Sequence, residues 1–356
     1  MTNRIKELIQ KLYKNSRLTE NEYKELIENR DNEAFLYLRS KAVEVRQRIY
    51  GNSVFIRGLI EISNICKNDC LYCGIRKSNK NCDRYRLTPQ EIILTAEEGY
   101  KLGFRTFVLQ GGEDPFFTDE VLCDLISSIK KKFPDCAVTL SLGEREKESY
   151  KKLFEAGADR YLLRHETADK EHYLKLHPKE MSFENRFNAL KDLKEIGYQV
   201  GCGFMVGSPY QTADTLAKDL KFIEEFKPDM CGIGPFIPHK DTQFKDCKSG
   251  SLELSLYLLS MIRLIYPPVL LPSTTALGTI ARNGRKEGIL AGANVVMPNL
   301  SPISVRKKYT LYDNKICTDE EAAEGLYSLK AQINEIGYKI VTDKGDIRKE
   351  NYYGNL

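Results

Sequence analysis

The chain has 356 residues, 42% hydrophobic and 29% charged, enough to bury a large core without a disulfide or metal staple. Its 54 basic residues nearly balance 50 acidic ones, and a net charge of +4 is too weak and dispersed for a nucleic-acid binder. No apolar run reaches the roughly 18 residues of a membrane span, and the N-terminal MTNRIKELIQKLYKN is charged and amphipathic with no signal core, so a cytoplasmic enzyme with no membrane or nucleic-acid partner is expected.

Residues 1–49 read as helices, with a 3.6-residue apolar rhythm through Ile5, Leu8, Ile9 and Leu12 and again through Ala34, Phe35, Leu38 and Val43. Beyond Gly51 the pattern changes to short β-rich runs separated by helical segments. The expected strands are 54–63, 105–110, 136–141, 159–164, 199–206, 229–234, 269–272 and 293–297. Thr88-Pro89-Gln90-Glu91 sets an N-cap, a first-turn proline and a capping-box glutamate in order, and Thr318-Asp319-Glu320-Glu321 opens a last helix in the same way. Eight strands with crossover helices predict an α/β chain closed as a (β/α)8 TIM-type barrel with an N-terminal helical extension; an open doubly wound sheet is the alternative. The expected divisions are an extension over 1–50, a barrel over 51–317, and a helix and tail packed on it over 318–356.

The first strand, VFIRGLIEIS, divides its residues between two faces. Val54, Ile56, Ile60 and Ile62 share the face expected against helices; Arg57, Glu61 and Ser63 share the one expected in the lumen. Barrel interiors are normally filled by branched apolar residues. Two opposite charges there imply a buried pair, a polar cavity, or both.

After that strand comes Cys66-Lys-Asn-Asp-Cys70-Leu-Tyr-Cys73. Three thiolates on one short loop can ligate three irons of a [4Fe-4S] cubane and leave the fourth open. Structural zinc is the competing reading, but such sites close with four ligands, and Cys82 lies nine residues beyond Cys73. The other cysteines are scattered and read as small buried hydrophobes of a reducing compartment.

The remaining polar candidates follow strands, at the catalytic rim of such a barrel. Gln110-Gly111-Gly112-Glu113 ends the second strand, Ser141 the third, and Arg164-His165-Glu166 the fourth. Met205 and Gly207, Pro235 and His239, Ser273-Thr274-Thr275 and Met297-Pro298 follow in turn. Each alone reads as a helix cap or turn residue; jointly they outline a site.

The cysteine spacing, with Tyr72 before the third thiol, resembles the radical S-adenosylmethionine (SAM) superfamily. There the open iron chelates SAM, and an electron from the cluster cleaves it to methionine and a 5′-deoxyadenosyl radical. The resemblance narrows to the HydE family, radical SAM maturases of the [FeFe]-hydrogenase active site. It runs along essentially the whole chain, through NDCLYCGIRKSNKN, RYRLTPQEI, VLQGGEDPF, VTLSLGE, AGADRYLLRHETA, MVGSPYQT, GIGPFIPHKDT, STTALGTI and GANVVMPN.

That likeness implies that Cys66, Cys70 and Cys73 hold the cluster, that Tyr72, Gly111, Gly112 and Glu113 lie against SAM, and that Ser141, Glu166 and Arg186 hold its ribose and carboxylate. Around the substrate it places Arg57, Gln110, Thr139, Arg160, Arg164, Met230, Thr274, Thr275, Met297, Tyr309 and Tyr312. Met230 and Met297 also read as core fillers. The implied substrate is an iron unit carrying CO, cyanide and a chelating cysteine, supplied by the partner maturase HydG. Its sulfur is attacked by the radical and its product passes to HydF, with a reduced electron donor feeding the cluster. Some members carry a second cluster near the C-terminus; here that region offers only Cys317, and Cys202 with Cys231 makes two inward candidates without a third, so none is expected. The rival readings are a methylornithine-synthase or biotin-synthase type of reaction and, from another class, a metal-fragment carrier without radical chemistry.

Overall fold

Three helices open the chain, each begun by a side chain that accepts a backbone N–H. Thr2 caps α1 (Asn3–Asn15), Thr19 forms a reciprocal box with Glu22 at α2 (Glu20–Glu28), and Asp31 caps α3 (Asn32–Tyr50). The computed structural model describes residues 1–316, 319 and 321–350. In α1 the buried face is Ile5, Leu8, Ile9 and Leu12, as the rhythm predicts. In α3 it is Ala34, Leu38, Ala42 and Val45, leaving Phe35 and Val43 on its half-buried flank.

The strand expected over 54–63 is two: β1 (Ser53–Ile56) and β2 (Gly58–Ser63), interrupted at Arg57. Next comes α4 (Pro89–Lys101), with the expected box between Thr88 and Glu91 and the proline in its first turn. Then β3 (Thr106–Gly111), α5 (Asp119–Lys132), β4 (Ala137–Ser141), α6 (Lys147–Glu155) and β5 (Arg160–Leu162) alternate. Helices α7 (Lys170–Leu176) and α8 (Phe183–Ile196) lead to β6 (Gln199–Cys202) and β7 (Met205–Val206). Helix α9 (Ala213–Phe226) leads to β8 (Met230–Cys231) and β9 (Gly234–Pro235). The strands expected over 199–206 and 229–234 both break at glycines, where the staves close in. A Cβ on Gly203, which has φ +151°, would lie 2.0 Å from the carbonyl oxygen of Gly232.

Helix α10 (Leu252–Ile265) is buried at every position from Ser255 to Ile265. It lies between the barrel and α1 and α3 while α2 covers α9, which is why a helix apolar on all sides is stable here. The segment expected as the seventh strand forms only single bridges, Leu270 to Met230 and Pro272 to Val295. After α11 (Thr275–Ile280) and α12 (Gly284–Leu290), β10 (Val295–Val296) pairs with β1. With β2-β3-β4-β5-β6-β8 parallel throughout, these bridges close a barrel of eight staves and exclude the open sheet.

The chain then runs through α13 (Ile303–Arg306) and α14 (Ala322–Glu335) to β11 (Lys339–Val341). Glu321 precedes α14 without a side-chain cap, and Thr318, the expected cap, lies outside the described residues, as does Cys317. Strand β11 adds in parallel to the free edge of β1. Residues 344–346 then cross under the barrel. Thr106 Oγ1 and Arg160 Nη2 both donate to the Lys344 carbonyl, at 2.7 and 2.9 Å, and Gln199 Nε2 donates to Asp346 at 2.8 Å. The N-terminal end of the barrel is sealed by its own C-terminal segment.

Candidate active site

At the other end of the barrel, the loop after β2 is folded by Arg84. Its guanidinium donates to the carbonyls of Asn64, Ile75, Arg76 and Asn79, at 2.6 to 3.1 Å. A bidentate Arg76–Asp69 pair at 2.8 Å braces the turn between the second and third cysteines. Cys66, Cys70 and Cys73 are all half-buried on this loop. The Glu113 N–H points at Cys66 Sγ, 3.4 Å away, and Cys70 Sγ rests 3.6 Å from Met181 Sδ. Burial pushes all three thiols up, Cys73 to about 12. They are thus protonated near neutrality unless a metal displaces the proton. Tyr72 donates to His177 Nε2 at 3.3 Å, and Nδ1 of that imidazole donates to the Tyr173 carbonyl at 2.9 Å.

The end of β3 meets this loop at contact distance. A Cβ on Gly112 would lie 2.3 Å from the Ile65 carbonyl and 2.7 Å from Cys66 Cβ, so only glycine lets the two segments touch. Glu113 ties the next loop in. Its carboxylate accepts the Glu144 N–H at 3.0 Å, pairs with Lys67 at 3.1 Å, and fills the space that a Cβ on Gly143 would need.

Glu166 ends the fourth stave in the left-handed region, φ +65°, rare for a residue with a side chain. Two buried groups behind it fix that turn. His165 Nδ1 accepts the Gly203 N–H at 3.3 Å, its Nε2 lies 3.3 Å from Asp219, and Asp219 accepts the Ala168 N–H. Arg164 Nη2 sits 3.1 Å from the Glu166 carboxylate. Arg186 reaches in from α8 to Glu144 and to the Arg164 carbonyl, at 2.5 and 2.6 Å.

These residues surround one cavity of about 380 Å³ at the C-terminal end of the barrel. The three cysteines line it with Tyr72, Gln110, Gly111, Gly112, Glu113, Ser141, Arg164, Glu166 and Arg186. Thr274, Thr275, Met297, Tyr309 and Tyr312 line its inner part. Arg57, Thr139, Arg160 and Met230 do not line it. They form a buried layer beneath, where Arg57 meets Met230 Sδ at 2.7 Å and the Gly345 carbonyl at 3.4 Å. Nor does Arg57 pair with Glu61. Glu61 lines the cavity and is bonded instead to Lys315 and, at 2.9 Å, to Asn299. Lys315 also lines the cavity, and its irregular segment holds no motif that would single it out. Cys202 and Cys231 pair across β6 and β8 inside the apolar core, against the α9 side, and do not face the cavity.

The radical SAM superfamily model matches residues 60–223. The [FeFe] hydrogenase maturase subunit HydE of Thermotoga maritima is 48% identical over 314 residues, 88% of each chain. The chain belongs to the HydE family of radical SAM enzymes. It is also 30% identical to 3-methylornithine synthase of Methanosarcina barkeri, over 92% of each chain. Among solved structures, methylornithine synthase superposes with a TM-score of 0.83 at 28% identity, covering 98% of this chain and all of that one. The hydrogenase maturase HydG superposes at 0.79 with 22% identity, covering 99% of this chain and 78% of that one, a likeness of fold.

The family's cofactors are a [4Fe-4S] cluster and SAM, and the residues present fit them. The N–H aimed at Cys66 Sγ suits a ligating thiolate, and the Gly112 cradle leaves backbone rather than side chain against the loop. Among the described residues no three His, Cys, Asp or Glu side chains converge on one point as a single ion requires. A cubane sets each thiolate on its own iron, so three thiols spread around one loop suit it better than zinc.

Proposed function

We propose that this enzyme is a cytoplasmic maturase of the [FeFe]-hydrogenase active site, acting on a cysteine-chelated Fe(CO)2(CN) unit at its sulfur. HydG would supply that unit, HydF would receive the product, and a reduced carrier would feed the cluster, with no second cluster involved. The observation that carries the reading is the continuity of one cavity from Cys66, Cys70 and Cys73 to Thr274, Thr275 and Tyr309. When bound, the cluster and SAM supply a 5′-deoxyadenosyl radical by one-electron cleavage of SAM. Identity of 48% to HydE against 30% to 3-methylornithine synthase favours this substrate class.

In this reading the chain's own groups divide the work by height. Cys66, Cys70 and Cys73 are the cluster ligands; Tyr72, Gly111, Gly112 and Glu113 hold the amino-acid end of SAM; Ser141 and Glu166 meet its ribose. Arg186 is held by Glu144 beside Arg164, so it offers a fixed rather than a searching cation to the SAM carboxylate. Deeper in, Gln110, Arg164, Thr274, Thr275, Met297, Tyr309 and Tyr312 orient the substrate. Leu162, Leu163, Met205, Phe236 and Ile237 keep the walls apolar, which excludes water from a radical reaction. The divisions at 1–50, 51–317 and 318–356 are proposed as extension, barrel and cap.

The test is anaerobic reconstitution followed by 5′-deoxyadenosine measurement with and without HydG product. Stimulated SAM cleavage and a new iron carbonyl product are expected. SAM cleavage that HydG product leaves unchanged sinks the substrate, and no cleavage at all sinks the enzyme.

A further inference from the structure

Lys315 is an ammonium almost wholly enclosed, its side chain 8% exposed, in the wall of the reaction cavity. It arrives on the segment after α13, which is laid across the C-terminal end of the barrel. The Leu311 carbonyl accepts the Gly74 N–H of the cysteine loop at 2.9 Å, and Asp313 accepts the Lys240 N–H at 2.7 Å. Two of the three ammonium protons are engaged, one by Glu61 and one by the Tyr309 carbonyl at 3.0 Å. The third makes no hydrogen bond among the described residues, and the ammonium lies 4.9 Å from the centre of the Tyr309 ring.

Arg186 is held on Glu144, and Arg57 and Arg160 are below the cavity floor. Arg164 lies 3.1 Å from Glu166, with its Nε and Nη2 making no hydrogen bond among the described residues, so it is the second cation of the wall with donors to offer. Glu61, by contrast, does not depend on Lys315 for its position, because Asn299 also donates to it and it stands on β2. A buried ion pair adds little net stability over an apolar pair of the same volume, so stability alone does not account for this one.

We propose that Lys315 is a cation that recognises an anionic group of the substrate, its free donor taking the ligand while Glu61 keeps the ammonium aimed into the cavity. The inference rests on the proposed iron substrate and adds a residue that would set its charge preference. An anion reaching the lysine from the cavity meets a desolvated, oriented donor, the condition under which a charge-assisted hydrogen bond is strong.

The test measures binding of the cysteine-chelated iron carbonyl cyanide complex to the reconstituted enzyme, without turnover. Removing Lys315 alone would strand a carboxylate, so the informative variant is the double Glu61→Gln, Lys315→Met. Its Kd should rise about tenfold or more, with Lys315→Arg alone restoring most of the affinity. Glu61→Gln alone keeps an oxygen that accepts from the ammonium and should weaken binding far less than the double variant. Melting temperature and cluster absorbance report folding. A double variant that binds like the parent, or a Glu61→Gln variant weakened as much as the double, overturns the assignment. A parent enzyme that binds no such complex overturns the proposed substrate instead.

Discussion

The two ends of the barrel use the same residue types in opposite ways. At the N-terminal end, Arg160 is wholly committed to the protein: to Thr106, to Gln199, to the Lys344 carbonyl and to Asp346, all within 3.1 Å. At the C-terminal end, Thr274 Oγ1 is buried with no hydrogen-bond partner among the described residues, Glu166 is held at positive φ, and Lys315 keeps a donor in reserve. One end is closed by the chain's own C-terminal segment, with Arg57 Nε and Thr139 Oγ1 in its floor making no hydrogen bond among the described residues; the other is strained and open to a ligand. That is the expected division between a stabilising face and a catalytic face of a (β/α)8 barrel.

The largest break in that comparison is at the cysteine loop. Cys70→Ala should remove the cluster absorbance and all SAM cleavage while leaving the N-terminal end, and hence the melting temperature of the cluster-free protein, nearly unchanged. A variant that retains a broad visible absorbance and cleaves SAM would remove Cys70 from the ligand set.

Much of the open end was legible because its signals are local. Cysteine spacing, the paired glycines before Glu113 and the strand-end arginine and glutamate each lie within a few residues, so a sequence window captures them. Height along the barrel is not local. Alternation correctly places Arg57 and Glu61 inside, but the break at Arg57 and the crossing of residues 344–346 put one in the floor and the other in the wall. Lys315 reaches Glu61 across 254 residues of sequence, a contact that no window could suggest. The strand breaks at Gly203 and Gly232 were likewise invisible, because two glycines matter there only once they face each other.

The floor offers a paired test of the next size. Arg160→Met leaves Thr106 and Gln199 without the guanidinium donor and Asp346 with only that of Gln199, and should cost about 3 kcal/mol, since Asp346 is half exposed and rehydrates in part. Arg57→Met should change stability by no more than about 1 kcal/mol. Among the described residues no carboxylate lies within ion-pair distance of Arg57, and an apolar side chain of similar volume removes a buried charge. Chemical denaturation of both variants checks this. Equal losses would mean the floor is one network, and a fall in coupled turnover of Arg57→Met at unchanged stability would bring Arg57 into contact with the substrate.

At the rim the expected effect is on binding rather than folding. Glu166→Ala should weaken SAM by about 2 kcal/mol, the worth of a charge-assisted hydrogen bond, with cluster absorbance intact. Asp219→Asn should produce part of that loss, because Asp219 and His165 set the turn that Glu166 occupies. In the Glu166→Ala background the Asp219→Asn effect should vanish. Additive losses in equilibrium SAM binding would make Asp219 a general structural residue.

The smallest effect concerns His177, which stacks on Tyr173 with ring centroids 3.9 Å apart and accepts from Tyr72 beneath the cysteine loop. Burial lowers its pKa to about 3, whereas the unfolded chain titrates near 6.5. Above pH 6.5 neither state is protonated there and the contribution to stability is complete. Between about 6.5 and 3 the unfolded state binds a proton that the folded state refuses, so stability falls as pH falls, by on the order of 1 kcal/mol per pH unit. His177→Gln keeps a donor and an acceptor without a titrating ring. Its unfolding free energy should be lower than that of the parent at pH 7, and the gap should narrow steadily towards pH 5. The comparison must be run on the cluster-free chain, where loss of metal cannot mimic the effect. Parallel pH profiles for the two proteins would mean that His177 takes up its proton as readily in the fold as in the unfolded chain, and Tyr72 would then need another acceptor at low pH.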